Sequence, residues 1–233
     1  MKKVLIICTS KIGYSGITSV IINYIEQTKG SVQYSFVFPC GILPDFETYF
    51  RKIGAVTVPH ISRNGHPIKY MNWLRKEIVK NGYDVVHIHG NSATTYFDLH
   101  AAKKAGVPTR IVHSHSTSCK YQLIHKVLRP LLNKELTAAI ACSDLAGKWL
   151  FTRNFSIVNN GINHSKFRYN EEVRKEYRKE LDLDGNFIIG HIGYMDTEKN
   201  HKFLINVFAE LVRQRPDARL VLIGDGRLRS EIE

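Results

Sequence analysis

The 233-residue chain reads as an α/β protein, a doubly wound parallel sheet followed by a second, unfinished unit of the same kind. Three observations predict this. Short apolar runs alternate with helical stretches along the whole length. The stretch FIIGHIGYMDTEKNHKFLINVFAELVRQRPDARLVLIGDG, residues 187–226, spells strand, glycine turn, helix, strand, glycine turn. Charge divides the chain: residues 1–165 hold 20 Lys+Arg and 8 Asp+Glu, a net +12, whereas residues 166–233 hold 13 of each. The expected boundary is therefore 1–165 and 166–233, with residues 159–170 as the linker.

Residues 4–8, VLIIC, are apolar throughout, as in a strand buried on both faces. This reading displaces a signal peptide, since the run is too short and lacks a small-residue cleavage site. The loop 9–16 leads into a helix over 17–29. Strands are expected at 34–38, 55–59, 84–89, 108–113, 138–142 and 156–159. Helices are expected at 46–52, 70–81, 93–105, 120–135 (kinked or restarted near Pro130) and 144–151. A charged helix over 171–181 opens the second unit. Its strands at 187–192 and 220–223 flank a helix over 199–213, where Phe203, Leu204, Val207, Phe208, Leu211 and Val212 keep helical spacing. A strand, helix and strand joined by short turns form a parallel βαβ unit, whose ligands bind beyond the carboxyl ends of the strands.

Composition excludes several classes. No run approaches the ~18 apolar residues that span a bilayer. Cys8, Cys40, Cys119 and Cys142 are far apart with no CxxC, which suits thiols in a reducing cytoplasm. The positive field attracts anionic lipid or phosphorylated substrates. Nucleic acid is not an expected partner, because aromatic-basic interleaving and a recognition motif are both lacking.

Candidate site residues cluster at predicted strand ends. Gly13, Ser15 and Gly16 let backbone approach a ligand at a helix start, where anions are favoured. The alternative is an ordinary strand-to-helix turn. His87 and His89 share one face of a strand, and His113 and His115 end another. Neutral imidazoles suit a metal, but no Asp or Glu completes the set and no HxxxH helix contributes, so no metal site is expected. One of the four is a candidate general base, His115 foremost, because it opens the polar loop 116–118; the alternative is a hydrogen-bonded structural role. Lys199, at the start of the helix after Gly193, suits a diphosphate, or is a solvated lysine. Gly224-Asp225-Gly226 faces the same side. Residues 120–135 form a basic amphipathic helix that fits an anionic membrane surface; a core-facing stripe with a solvated basic edge is the commoner outcome.

These residues carry a resemblance. DVVHIHG at 84–90, AAKKAGVPTRIVHSHST at 101–117, IACSDLAGKWLF at 140–151, NNGINHSKF at 159–167 and the stretch 188–226 resemble, in order, group-1 (GT4-type) retaining glycosyltransferases, especially bacterial ones making capsular or exopolysaccharide. The resemblance implies a GT-B fold, with a complete N-terminal Rossmann-like domain on the acceptor side and an incomplete C-terminal one for the nucleotide-sugar. It implies hexosyl transfer from a nucleotide-sugar to a lipid-linked saccharide, without a metal or other cofactor, at the inner face of the cell membrane. By resemblance Ser15, Gly16 and Lys199 lie at the donor phosphates and His115 at the reaction centre. Gly193, Gly224 and Gly226 lie near the nucleotide, and His87, His89 and Asn91 on the acceptor side. Two departures stand out. Tyr194 replaces the family's arginine after Gly193, and the sequence stops before the family's glutamate pair. A weak or inactive transferase is therefore expected, prone to self-association through the open second sheet; the alternative is a non-catalytic acceptor- or membrane-binding fragment or subunit.

Overall fold

The computed structural model describes all 233 residues. Its first seven strands are β1 (Lys2–Cys8), β2 (Val32–Val37), β3 (Ala55–Thr57), β4 (Val85–His89), β5 (Thr109–Ser114), β6 (Ala138–Ala141) and β7 (Ser156–Ile157). They form one parallel sheet in the order β3-β2-β1-β4-β5-β6-β7. The order reverses between β1 and β4, where Cys8 pairs with His89. Connecting helices are α1 (Gly16–Thr28), α2 (Pro44–Ile53), α3 (Pro67–Asn81), α4 (Tyr96–Lys104), α5 (Gln122–Glu135) and α6 (Asp144–Leu150).

The apolar run of β1 explains the two-sided sheet. Ile6 and Cys8 pack with Ile21, Ile25, Phe36 and Phe50 of α1, β2 and α2. Leu5 and Ile7 alternate to the other face, with Leu74, Ile88, Leu99 and Val112. Under α4 lies a buried ion pair: Arg63 donates to Asp98 at 2.6 Å, and the Tyr70 hydroxyl donates to the same carboxylate at 2.9 Å.

The chain divides into Met1–Asn163 and His164–Glu233, two residues before the expected boundary. The second unit has α7 (Glu171–Glu180), β8 (Phe187–Ile192), α8 (His201–Gln214), β9 (Ala218–Ile223) and α9 (Arg229–Ile232), with β8 and β9 parallel neighbours in a two-stranded sheet.

Several expected elements differ. α2 and α3 start at Pro44 and Pro67, earlier than periodicity predicts, because proline's fixed φ suits the first helical turn. α5 runs through Pro130 without restarting. Tertiary bonds hold it on both sides: Arg129 donates to the carbonyls of Lys148 and Phe151, and Asn133 to that of Leu150. The apolar stripe of α5 packs into the core only through Leu128 and Leu132. Leu132 is buried, but Leu123 and Val127 are 79% and 70% exposed, and Ile124 and Leu131 are exposed too. The helix expected over 199–213 begins later. Thr197–Lys199 is a single 3-10 turn, and Asn200 adopts the left-handed conformation at φ 50° before α8 starts.

In the second unit only Met195, His201 and Ala218 are buried. A two-stranded sheet with so little core is marginal on its own. Hydrogen exchange should therefore find β8 and β9 opening within ~3 kcal/mol, while β1 and β4 open only at the global cost of about 5–15 kcal/mol. Equal protection in the two sheets would contradict this account.

Candidate active site

The first candidate surface is the amino end of α1. Ser15 caps it: its Oγ accepts from Thr18 N at 3.3 Å, while Thr18 Oγ1 accepts from Gly13 N at 3.2 Å. The amides of Gly16 and Ile17, in the first turn, have no intrahelical partner. A Cβ built on Gly16 would meet nothing within 4 Å, so protein packing does not demand glycine there. The free amides lie at the positive end of a helix dipole.

The second feature is a column of four imidazoles across β4 and β5. In the parallel register His89 stands opposite His113, with His87 and His115 one pleat away in each direction. Ring centroids lie 4.2 Å apart for His87–His89, 5.2 Å for His89–His113 and 4.1 Å for His113–His115. His89 Nδ1 and His115 Nε2 share a hydrogen bond of 2.9 Å. Buried imidazole nitrogens without a partner are Nε2 of His87, Nε2 of His89, both nitrogens of His113, and Nδ1 of His115. Desolvation holds every ring neutral. It lowers His87 to about 3, His113 to about 2 and His115 to about 4, and pushes His89 well below its usual range.

This geometry bears on the roles expected from sequence. His115 is placed by its backbone, whose N–H donates to Asn91 Oδ1 at 3.0 Å, while the Asn91 carbonyl accepts from Trp149 Nε1 at 2.8 Å. With Nε2 engaged and Nδ1 buried, proton abstraction by His115 requires its side chain to turn. His89 is wholly buried, and Asn91 spends its oxygens inside the fold.

In the second unit the two glycine turns lie backbone to backbone. Gly193 N donates to Ile223 O at 3.0 Å and Met195 N to Asp225 O at 2.8 Å. Gly224, at φ 153°, would put a Cβ 2.0 Å from Gly193 O, and Gly226, at φ 159°, would put one 2.4 Å from Met195 O. Glycine is thus required by close packing and by conformation. Lys199 is exposed, with its stem along Gly193; Tyr194 is exposed as well. Asp196, not Lys199, carries the ion pair of this turn, accepting from Arg227 at 2.6 Å. Ser15, Gly16 and the histidines belong to the first unit, and Gly193, Lys199, Gly224 and Gly226 to the second.

Comparison with known proteins decides the family. The Glycosyltransferase Family 4 profile matches residues 15–166, and the Glycosyl transferases group 1 profile matches residues 173–233. The chain belongs to the group-1, family 4 glycosyltransferases. Within this family it is 31% identical over 94% of its length to EpsF of Bacillus subtilis (strain 168), a protein with a glycosyltransferase name, and covers 61% of it. A second relative, from Escherichia coli, is named UDP-Gal:alpha-D-GlcNAc-diphosphoundecaprenol alpha-1,3-galactosyltransferase. It is 30% identical over 78% of this chain, which covers 51% of it. The chain thus spans between half and two thirds of these relatives. Anabaena HepE, solved in complex with UDP, superposes with a TM-score of 0.77 at 16% identity, over 99% of this chain and 63% of HepE. That likeness shows the fold, a GT-B architecture, of which these 233 residues span 63% of HepE's length.

Sequence reasoning missed three supports of the site. Tyr24 of α1 stacks on His113 at 6.0 Å between centroids, His125 stacks on Trp149 at 4.4 Å, and His125 Nδ1 accepts from Ala93 N at 3.2 Å. Nothing in their spacing announces these contacts, which bring together distant elements.

The neutral imidazoles set a pH dependence. Unfolded, they take up protons near pH 6.5; folded, only near 2–4. Acid therefore favours the unfolded chain. Stability is full above about pH 6.5 and falls below it, by up to about 1.4 kcal/mol per imidazole per pH unit. Urea titrations of the chelator-treated chain between about pH 7 and about pH 5 should show the first unit's midpoint dropping, with a shallower slope in His113→Phe. A midpoint independent of pH would refute the neutral column.

Proposed function

We propose that this chain serves retaining transfer of a hexosyl group from a nucleotide-sugar to a lipid-linked saccharide in polysaccharide biosynthesis. The observation that carries the reading is the free amide pair at Gly16–Ile17, in the first turn of the helix that follows β1, where nothing packs within 4 Å of a Cβ built on Gly16, within a chain of this family. As the bond from the anomeric carbon to the diphosphate breaks, negative charge grows on the leaving group. Helix amides such as those of α1 in the first unit, and an ammonium such as that of Lys199 in the second, are each groups able to stabilise charge of this kind. A neutral His115 lines the reacting centre. Names of relatives support the substrates: HepE was solved with UDP, and the Escherichia coli relative acts on a diphosphoundecaprenol-linked sugar.

The exposed face of α5 supports the lipid side. Leu123, Ile124, Val127 and Leu131 are exposed beside Lys120, Lys126 and Lys134. A pocket of ≈ 320 Å³ next to them is lined by Gln122, His125, Lys126, Arg129, Lys148 and Trp149. Apolar side chains flanked by cations suit the surface of an anionic membrane. No helix is long and apolar enough to cross one. The reading places the chain on the cytoplasmic face of the membrane as a peripheral protein, with weak transfer by these 233 residues because Tyr194 brings no charge to the diphosphate.

Calorimetric titration of UDP and GDP into the chain tests the donor side. Lys199→Ala should weaken binding by roughly 10–100-fold, the loss of one charge-assisted hydrogen bond. No binding by a chain that circular dichroism shows to be folded would sink the donor reading and leave a non-catalytic acceptor-side protein. Sedimentation with phosphatidylglycerol and phosphatidylcholine vesicles tests the lipid side. The double variant Lys120→Ala/Lys126→Ala should bind the anionic vesicles about 30-fold more weakly, at about 1 kcal/mol per lysine. Equal binding to both lipids would remove the anionic preference, and binding to neither would remove the membrane assignment.

A further inference from the structure

We propose that His87, His89 and His113 form a binding site for one borderline divalent transition ion, Zn²⁺ or its Co²⁺ and Ni²⁺ analogues, beneath the carboxyl ends of β4 and β5. The ligand atoms of these three side chains all lie within 4.8 Å of one another. The site is a product of register: β4 supplies His87 and His89 two residues apart on one face, and β5 sets His113 opposite His89.

The second observation is the state of the donor atoms. Nε2 of His87, Nε2 of His89 and both nitrogens of His113 are buried without a hydrogen-bond partner. His89 and His113 are 0% exposed. Buried polar atoms in a native protein are nearly always satisfied, and a cluster of unsatisfied imidazole nitrogens within 4.8 Å of one another calls for an ion or an ordered water. An all-imidazole set favours zinc, cobalt or nickel over magnesium or calcium, which require oxygen ligands.

The outer partner is present too. A ligating histidine usually donates its other ring N–H to a neighbour, which fixes the tautomer. His89 Nδ1 lies 2.9 Å from His115 Nε2. With the proton on Nδ1, His89 donates to His115 and keeps an unshared Nε2 lone pair for an ion. Zinc–nitrogen bonds of about 2.0–2.1 Å set tetrahedral donors roughly 3.4 Å apart, so the widest pair closes by roughly 1.4 Å on binding. Three protein ligands leave a fourth position for water or hydroxide. The ion braces β4 against β5 below His115 and takes no part in neutralising the diphosphate, so the site stands or falls independently of the transfer reaction.

This inference differs from the expectation drawn from sequence, which set metal aside because no carboxylate and no HxxxH helix accompanied the histidines. Cross-strand pairing supplies the third ligand that linear spacing hides.

The test is titration of tag-free, chelator-treated chain with Co²⁺, followed by competition with Zn²⁺. Expected are one ion per chain, visible absorption of a four-coordinate cobalt centre, and a zinc-dependent rise in melting temperature. His87→Gln and His113→Gln should each weaken binding by roughly 100-fold, and His115→Phe, acting through His89, by about tenfold. His60→Gln, an exposed histidine, should leave binding unchanged. Should a variant fail to fold, zinc-edge X-ray absorption of the wild-type chain reads the ligands directly, and scattering from three imidazoles supports the site. Absence of stoichiometric binding by the folded wild-type chain, binding unaffected in His87→Gln and His113→Gln, or a zinc edge showing fewer than three imidazoles overturns it.

Discussion

The parallel pairing of β1 with β4 governs the first unit. The order of the sheet reverses there, so the chain leaves β1 toward α1 and β4 toward α4 on opposite faces. Their carboxyl ends are left free of a covering crossover. Every candidate group of this unit is referred to that edge: the open amides of α1 follow β1, Asn91 follows β4, and His115 follows β5. The pairing itself rests on β1 being apolar on both faces, with Leu5 and Ile7 in one core and Ile6 and Cys8 in the other.

On the α1 face the sheet changes chemistry partway across. Aliphatic and aromatic side chains cover β1 and β2, but imidazoles cover β4 and β5. Imidazoles are flat and stack well, so they fill the space as aromatics do. They also bring polar atoms into a region of low dielectric, where each unmet hydrogen bond costs about 1–3 kcal/mol. A column of this kind is costly to keep unless its nitrogens serve something. The neutrality imposed by burial is the physical link between its packing and any chemistry it performs.

The second unit is built differently. Its glycine turns touch through backbone atoms alone, so the two strand ends hold one shape while little apolar surface is buried beneath them. Its charges are paired close to home, as in Arg227 with Asp196 and Lys202 with Glu231. Lys199, outside these pairs, sits on a turn and not in α8, which gives its ammonium more freedom than a helical position would.

Much was legible in the sequence. Alternation of apolar runs with helical periods determined the α/β class and the strand sequence, because these signals are local and depend on a residue's immediate neighbours. The motifs of residues 84–117 and 188–226 determined the family. Local signals failed where tertiary partners intervene. The apolar stripe of α5 reads the same whether it is covered or exposed, and only packing left Leu123 and Val127 outside. Pro130 reads as a break, and only the bonds from Arg129 and Asn133 to the end of α6 kept the helix whole. The histidines read as two separate pairs. Only the register of β4 against β5 made them one column, because adjacency across a sheet is set by which strands pair and at which residue.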